Sequence, residues 1–185
     1  MSMSRSQALI LLKQYLKNEK LIKHCIAVEA IMRNLAKALG EDEELWALTG
    51  LLHDIDYELA KGDMEKHGVI STENILRNKL PKEALEAIRA HNELTGFVSD
   101  TKLALALKAA DQASGLIVAT ALVMPNKRLS EVKLSSLLKK FKQKDFARSV
   151  RRDKIRLCER IGLPLERFLE ISLKALQEVH EELGL

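Results

Sequence analysis

The spacing of apolar residues predicts a chain built almost entirely of helices. Between residues 21 and 39, apolar side chains recur every three or four positions and form one stripe, and Gly40 follows as a stop signal. The same spacing predicts helices over residues 6–16, 43–55, 69–80, 82–93, 101–123, 129–141, 153–161 and 165–179. No stretch shows the strict apolar–polar alternation of a β-strand. We therefore predict an all-α fold.

The predicted helix over residues 101–123 is the most apolar part of the chain, which is typical of a central buried helix. Asp111 lies in its middle. A buried carboxylate is costly unless a cation or several hydrogen-bond donors compensate it. Lys108, three residues earlier, offers one such partner through an i,i+3 ion pair. A metal ion is the other candidate.

Three histidines are also predicted to point inward. His24 lies on the apolar stripe of its helix, His91 lies on an apolar helix face, and His53 ends an apolar run. His67 falls in a polar turn, where exposure is the ordinary expectation, and His180 lies among acids and is expected in solvent. Each histidine alone is more often a hydrogen-bonded structural residue. A single metal centre, however, would satisfy all the inward-pointing groups at once.

The dipeptide His53-Asp54 is the natural centre of such a site. Imidazole nitrogen and carboxylate oxygen are ligands for Zn, Mn and Fe, and an aspartate can bridge two ions with its two oxygens. Successive helical residues project about 100° apart, so the pair shares an ion most easily near a helix end. Asp56 and Glu58 follow directly. They could orient a ligand histidine or a water, although exposed acids are the simpler expectation.

Composition narrows the class of protein. The 185 residues suffice for one domain, and 46% hydrophobic with 30% charged residues is typical of a soluble globular chain. We see no signal peptide and expect no membrane partner, because charges interrupt every apolar stretch. Cys25 and Cys158 share no motif spacing, which favours a reduced, cytoplasmic protein. The sequence does not indicate the oligomeric state.

The net charge of +4 is unevenly distributed. Residues 127–156 contain twelve Lys or Arg and three acids, a local charge of +9. We therefore predict a helical body with the metal site over residues 1–124 and a basic helical extension of the same domain over residues 125–185. Phe141 and Phe146 are the only aromatic residues of the basic segment, too few for a base-stacking platform. We expect a solvated basic face rather than a nucleic-acid site.

The order of these residues resembles a known family. His24, the His53-Asp54 pair and Asp111 follow one another on predicted helices, within the local contexts Leu-Leu-His-Asp-Ile-Asp and Ala-Ala-Asp. Over about residues 20–122 the chain is similar to the HD superfamily of metal-dependent phosphohydrolases, in particular to its compact bacterial and archaeal members. The resemblance implies a single HD-domain helical bundle, with the C-terminal helices packed onto it.

Two further histidines match the extended pattern of dinuclear HD proteins. His67 and His91 lie where cyclic-dinucleotide phosphodiesterases and myo-inositol oxygenase carry additional ligands. The chain lacks the Gly-Tyr-Pro signature of the cyclic-di-GMP enzymes, and Asn92 follows His91 where those enzymes have paired histidines. Both departures argue against cyclic-di-GMP as the substrate.

The resemblance implies a site and an activity. One or two divalent ions (Mn, Fe, Zn, Ni or Mg) would be held by six residues: His24, His53, Asp54, His67, His91 and Asp111. Asp54 would bridge the two ions and be catalytic. Independently of the resemblance, Lys108 lies one helical turn before Asp111, where it could face the pocket and contact the phosphate. The implied reaction is hydrolysis of a nucleotide or other small phosphate ester by metal-activated water. A di-iron oxygenase and a non-catalytic module, metal-stabilised or nucleic-acid-binding, are the alternatives.

Overall fold

The computed structural model describes residues 3–185, in which every regular element is helical. The α-helices of this part are α1 (Arg5–Tyr15), α2 (Glu19–Leu39), α3 (Glu43–Leu52), α4 (Lys82–His91), α5 (Lys102–Leu122), α6 (Leu134–Lys142), α7 (Arg152–Ile155), α8 (Leu165–Glu178) and α9 (His180–Leu183). A π-helical turn covers Ser71–Ile75, and 3-10 turns cover Glu93–Thr95, Leu129–Glu131 and Arg156–Ile161. The predicted all-α fold is confirmed.

Local sequence explains where the long helices begin and end. The side chains of Ser4, Asn18, Asp42 and Thr101 cap α1, α2, α3 and α5, each accepting a hydrogen bond from a backbone N–H of the first turn. Gly40 ends α2 in the left-handed region, at a φ of 70° that costs glycine little. These elements therefore begin and end close to their predicted bounds.

Helices α2 and α3 pack at very close range. A Cβ atom built on Gly50 of α3 would lie 2.9 Å from the backbone oxygen of Val28 on α2, so only glycine permits this approach. The close packing brings the imidazole of His24 on α2 to 5.2 Å from that of His53, measured between ring centroids. Packing of two helices thus places the first two candidate ligands side by side.

Helix α5 is the centre of the fold, as its apolar composition predicts. It packs against α2, α4, α7 and α8. By length and composition alone α5 could cross a membrane, but 67% of its most apolar window is buried inside the fold. It is therefore a core helix. Asp111 is carried into the interior by this helix.

The C-terminal helices pack onto the rest of the molecule. Helix α8 lies against α2, and both α6 and α8 contact α5. Phe168 is fully buried and Phe141 nearly so, which anchors α8 and α6 in the common core. The predicted bundle with packed C-terminal helices is confirmed, whereas the division at residue 124 stays a prediction. Cys25 and Cys158 are buried and form no disulfide.

The predicted helix over residues 69–80 is helical only over residues 69–75, and residues 76–80 form bends and turns. Only a π-helical turn, Ser71–Ile75, follows the short helical start at residue 69. The carboxylate of Asp56 accepts hydrogen bonds from the backbone N–H groups of Gly68 and Ser71, at 2.9 and 2.7 Å. This side-chain contact holds the start of the segment in an irregular form that local periodicity does not reveal.

The predicted helices over residues 129–141 and 153–161 are each divided. The carboxylate of Glu131 accepts from the backbone and side chain of Asn126, at 3.0 and 2.9 Å, which fixes a 3-10 turn before α6 begins at Leu134. Further on, four residues of α7 pass into a 3-10 turn over Arg156–Ile161. At the start of α6, hydrogen bonds made by one side chain, rather than periodicity, decide where the helix begins.

Candidate metal centre

The His53-Asp54 pair lies at the end of a helix, where the two side chains can share an ion most easily. Helix α3 ends at Leu52, and His53 is its C-terminal cap. The Nδ1 atom of His53 lies 2.8 Å from the backbone oxygen of Gly50, one turn earlier. That contact identifies Nδ1 as the protonated nitrogen and leaves the lone pair on Nε2. The ring is fully buried, so Nε2 faces the protein interior.

The carboxylate of Asp54 occupies the middle of the cluster. Its Oδ1 atom lies 3.3 Å from Nε2 of His53, 3.1 Å from Nε2 of His67 and 3.3 Å from Nε2 of His91. Its Oδ2 atom lies 3.6 Å from Nε2 of His24. The two oxygens therefore face different histidines. This is the arrangement that a bridging carboxylate needs.

One side of the cluster is formed by helices α2 and α5. The Nε2 atom of His24 lies 3.0 Å from Oδ1 of Asp111, and that oxygen lies 3.9 Å from Nε2 of His53. The hydroxyl of Ser114, one turn after Asp111, donates to the Asp111 backbone oxygen at 2.7 Å and lies 3.1 Å from Nδ1 of His24. The hydroxyl has one hydrogen, which it donates to the Asp111 backbone oxygen. In the contact between Ser114 and His24, Nδ1 of His24 is therefore the donor.

The other side is formed by His67 and His91, whose Nε2 atoms lie 3.1 Å apart. The Nδ1 atom of His67 lies 2.9 Å from Oδ1 of Asp56, and Nδ1 of His91 contacts the backbone oxygen of Ile88. In both rings Nδ1 is thus the donor. Both side chains are buried, so His67 is not the exposed turn residue that its polar surroundings suggested.

The cluster fits a divalent metal. All four histidines use Nδ1 for a fixed hydrogen bond and direct Nε2 towards the carboxylates, which is the usual orientation of metal-binding imidazoles. Nε2 of His53 is buried and has no hydrogen-bond partner within residues 3–185. Two groups have ligand atoms within 4.8 Å of one another, His24 with His53 and Asp111, and His53 with Asp54 and His91. The chain can therefore hold a metal here.

The electrostatics of the cluster agree with this role in part. Burial opposes protonation of His67, but its contacts with two neighbouring carboxylates outweigh burial and raise its pKa to about 9, so a metal must displace a proton from that ring. Complete burial lowers the pKa of His53 to about 4, so its ring is neutral at pH 7 and its lone pair is free. Burial opposes ionisation of Asp111, but the neighbouring His24 outweighs it and lowers the pKa of Asp111 to about 2. The pKa of Asp54 is also held well below its usual range, because the surrounding histidines outweigh its burial. Ionised carboxylates and a neutral imidazole are the forms that bind metals.

Lys108 does not pair with Asp111. Its Nζ atom donates to the backbone oxygen of Ser99 at 3.3 Å, whereas Oδ2 of Asp111 accepts from the side chain of Gln112 at 2.9 Å. The i,i+3 ion pair considered from the sequence is therefore absent within residues 3–185. Burial lowers the pKa of Lys108.

Sequence reasoning missed or misjudged three positions whose side chains contact candidate ligands. Asp56 is fully buried and accepts from His67, so the expectation of an exposed acid is wrong. Ser114 and Gln112 hold His24 and Asp111, respectively. A serine or a glutamine on a helix forms no motif by itself. The available signal was spacing, because Ser114 lies one turn after Asp111 and Gln112 lies directly after it. Glu58 instead accepts from the backbone N–H groups between α1 and α2.

Together, the fold and the cluster define an all-helical protein with a candidate centre of four histidines and two aspartates. The chain belongs to the HD-domain family, whose model matches residues 21–116, slightly more than half of its length. HD domains bind divalent metals and are usually hydrolases. The family expected from the order of His24, His53-Asp54 and Asp111 is confirmed.

Curated relatives match only part of the chain. Ribonuclease Y of Acholeplasma laidlawii is 35% identical over 74 residues, which are 40% of this chain and 14% of that protein. Ribonuclease Y of Cutibacterium acnes and that of Lawsonia intracellularis are each 31% identical over 97 residues, or 52% of this chain and 18% of theirs. The match thus spans less than a fifth of these relatives. No solved structure gives a significant match.

Proposed function

We propose that this protein is a metal-dependent phosphohydrolase that acts on a nucleotide or another small phosphate ester. One observation carries the proposal. Four imidazole Nε2 atoms converge on the carboxylates of Asp54 and Asp111, and the other nitrogen of every ring is held by a hydrogen bond. Such preorganisation is expected of a metal centre and is costly without one.

The two sides of the cluster suggest two metal positions. His24, His53, Asp54 and Asp111 would hold one ion, and His67, His91 and the shared Asp54 would hold the second. Divalent ions in such a site supply a water of lowered pKa and draw charge from the phosphoryl oxygens. The chain holds the carboxylates ionised and His53 neutral, and Asp56 and Ser114 fix the tautomers of His67 and His24.

Lys108 is proposed to contact the phosphate. Within residues 3–185 no carboxylate oxygen lies within 4 Å of its Nζ, so its charge is not neutralised by a close ion pair. Its hydrogen bond to the Ser99 backbone oxygen leaves two further N–H donors. Lys108 lies one helical turn before Asp111, and its half-buried ammonium would turn from the Ser99 oxygen to meet an incoming phosphoryl oxygen.

The curated relatives support a phosphate ester as the substrate. Their name, ribonuclease, describes an enzyme that acts on RNA, whose backbone consists of phosphodiesters. Because the matched segment is a small part of those proteins, it supports the class of bond rather than the particular substrate.

The test combines metal analysis with turnover. We expect purified protein to contain divalent metal and to hydrolyse members of a panel of nucleotides and simple phosphate esters. Asp54→Ala should lower kcat/KM by about a thousandfold or more, since it removes a ligand from both metal positions. Asp63→Ala is the matched control, because Asp63 is an exposed aspartate that pairs, within residues 3–185, only with Lys66.

Three outcomes would contradict the proposal. Metal-free protein in which Asp54→Ala behaves as wild type would exclude a metal-dependent activity. Bound iron with an EPR signal and oxygen consumption on a diol or phosphonate would instead indicate the oxygenase alternative. Bound metal without turnover of any substrate would favour a non-catalytic module.

A further inference from the structure

A cleft of about 350 Å³ opens beside His24. Its walls come from α2, α5 and the C-terminal residues, with His24 and Ser114 at the end nearest the metal centre. The other lining residues used below are Lys20, Lys23, Ala27, Val118, Leu122 and Leu183. Within residues 3–185, no side chain that lines the cleft is acidic, and the last residue, Leu185, also lines it.

The cleft adjoins the open side of the candidate metal centre. His24 and Asp111 keep 25% and 21% of their side-chain surface exposed, whereas His53 is completely buried. A substrate must therefore reach the centre past His24 and Asp111. The part of that substrate that does not react then lies in, or next to, the cleft.

Charge in the cleft favours an anion. Lys20 and Lys23 are exposed on the first turns of α2, and within residues 3–185 neither ammonium has a carboxylate oxygen within 4 Å. Lys20 precedes His24 by four residues, which is about 6 Å along a helix axis. A second negative group of the substrate, roughly one helical turn from the reacting phosphate, would meet these lysines.

The remaining walls are apolar. Leu122 is 48% exposed and Val118 is half-buried, so these two residues offer hydrocarbon surface, whereas Ala27 and Leu183 are buried parts of the wall. The hydroxyl of Ser114 already donates to the Asp111 backbone and contacts His24. These walls can pack against a flat ring but have few free groups with which to read its edge.

We propose that this cleft is a specificity subsite for a nucleoside flanked by two phosphates. The inference rests on the proposed function. One phosphate reacts at the metal centre, the base packs against Val118 and Leu122, and the second phosphate lies between Lys20 and Lys23. Because the walls have few free groups for base recognition, the subsite selects for the second phosphate and not for a particular base.

Two kinds of molecule contain a nucleoside flanked by two phosphates, a nucleoside bisphosphate and the end of an oligonucleotide. A neighbouring depression of about 810 Å³ shares Leu122 with the cleft and is lined by Lys127 and Arg128. Only a chain that continues past the second phosphate would reach these two basic residues. They therefore distinguish the two sources.

The test measures equilibrium binding to the metal-loaded protein by isothermal titration calorimetry. The probes are analogues of adenosine 5′-monophosphate and adenosine 3′,5′-bisphosphate in which methylene replaces each ester oxygen, so that neither is hydrolysed. We expect wild type to bind the bisphosphate analogue at least tenfold more tightly. The double variant Lys20→Gln/Lys23→Gln should abolish this difference and leave the affinity for the monophosphate analogue within twofold.

Lys37→Gln is the matched control, since Lys37 is exposed on the same helix but lies outside the cleft. Equal wild-type affinity for the two analogues, or an equal loss for both in the double variant, would overturn the subsite. These results leave the proposed hydrolase intact, because that is judged by metal content and turnover. Conversely, selective binding of the bisphosphate analogue by a protein without any turnover would contradict the proposed hydrolase activity but support the subsite.

Two further measurements complete the test. The methylene analogue of a triadenylate should lose affinity in Lys127→Gln/Arg128→Gln if the source is an oligonucleotide, and the bisphosphate analogue should not. Replacing adenine by guanine, cytosine or uracil in the bisphosphate should change its affinity by less than about fivefold. A preference of a hundredfold for one base would contradict a subsite with few free groups for base recognition.

Discussion

The Nδ1 atom of His67 lies 2.9 Å from the Oδ1 atom of Asp56, inside the protein. The other oxygen of Asp56 accepts from the backbone N–H groups of Gly68 and Ser71. One buried carboxylate therefore fixes both the ring of His67 and the loop that carries it. Such supporting contacts are worth about 10–100-fold in metal affinity in other metal sites.

Asp56→Asn is expected to weaken metal binding by about tenfold or more. An amide can present its NH₂ group to His67 and so favour the wrong tautomer, and it cannot accept all three hydrogen bonds. Metal titration by calorimetry measures the change. Asp63→Asn, an exposed aspartate, should leave the affinity unaltered. Unchanged affinity in Asp56→Asn would show that His67 is not a ligand or needs no support.

Metal stoichiometry distinguishes one ion from two. We expect up to two divalent ions per chain in wild type, one in His91→Gln and one in His24→Gln, because these histidines lie on opposite sides of Asp54. Elemental analysis after dialysis gives the count. Removing the metal with a chelator should also lower Tm, since binding stabilises only the folded state. A single ion in wild type that both variants lose would support a mononuclear centre.

Arg152 is expected to hold the loop between α6 and α7. Its guanidinium donates to the backbone oxygens of Lys140, Phe141, Gln143, Phe146, Ala147 and Val150. Arg152→Leu leaves these carbonyls without their donor and should lower the free energy of unfolding by about 3 kcal/mol. Arg148→Leu, an exposed residue of the same loop, is the control for urea denaturation. Equal effects of the two variants would exclude this role.

Glu29 should make stability depend on pH away from the metal centre. Burial raises the pKa of Glu29, although Arg5 opposes the shift through a 2.6 Å ion pair. The folded state therefore binds this proton more tightly than the unfolded chain does, and the stability contributed by Glu29 falls as pH rises above about 4.5. Wild type should lose stability relative to Glu29→Gln between that pH and pH 7. A constant difference across chemical-denaturation curves would refute the shift.

The sequence predicted most of the helices, and the structure shows why. The stripe along residues 21–39 and the apolar run over residues 101–123 are long, regular and well capped, so local pattern and tertiary packing agree. The segments around residues 69–80 and 129–141 were misjudged, because Asp56 and Glu131 hydrogen-bond to backbone groups there. Such contacts come from single side chains and do not change the spacing of apolar residues along the sequence.

The candidate ligands also fall into two groups, those that the local pattern placed correctly and one that only a tertiary contact places. His24, His91 and Asp111 were placed inside from the apolar faces that carry them, and all three lie in the cluster. His67 falls in an irregular loop, and its buried hydrogen bond to Asp56 holds its side chain in the cluster.

By itself, the sequence determined the all-helical class, the family and the residue types of the centre, because helix periodicity and the His-Asp order are properties of neighbouring positions. The tertiary structure alone decided the rest. The tautomer of each histidine, the central place of Asp54 and the cleft beside His24 depend on atoms from α2, α3, α4 and α5 meeting in space. Distances between such elements follow from packing, and no local pattern encodes them.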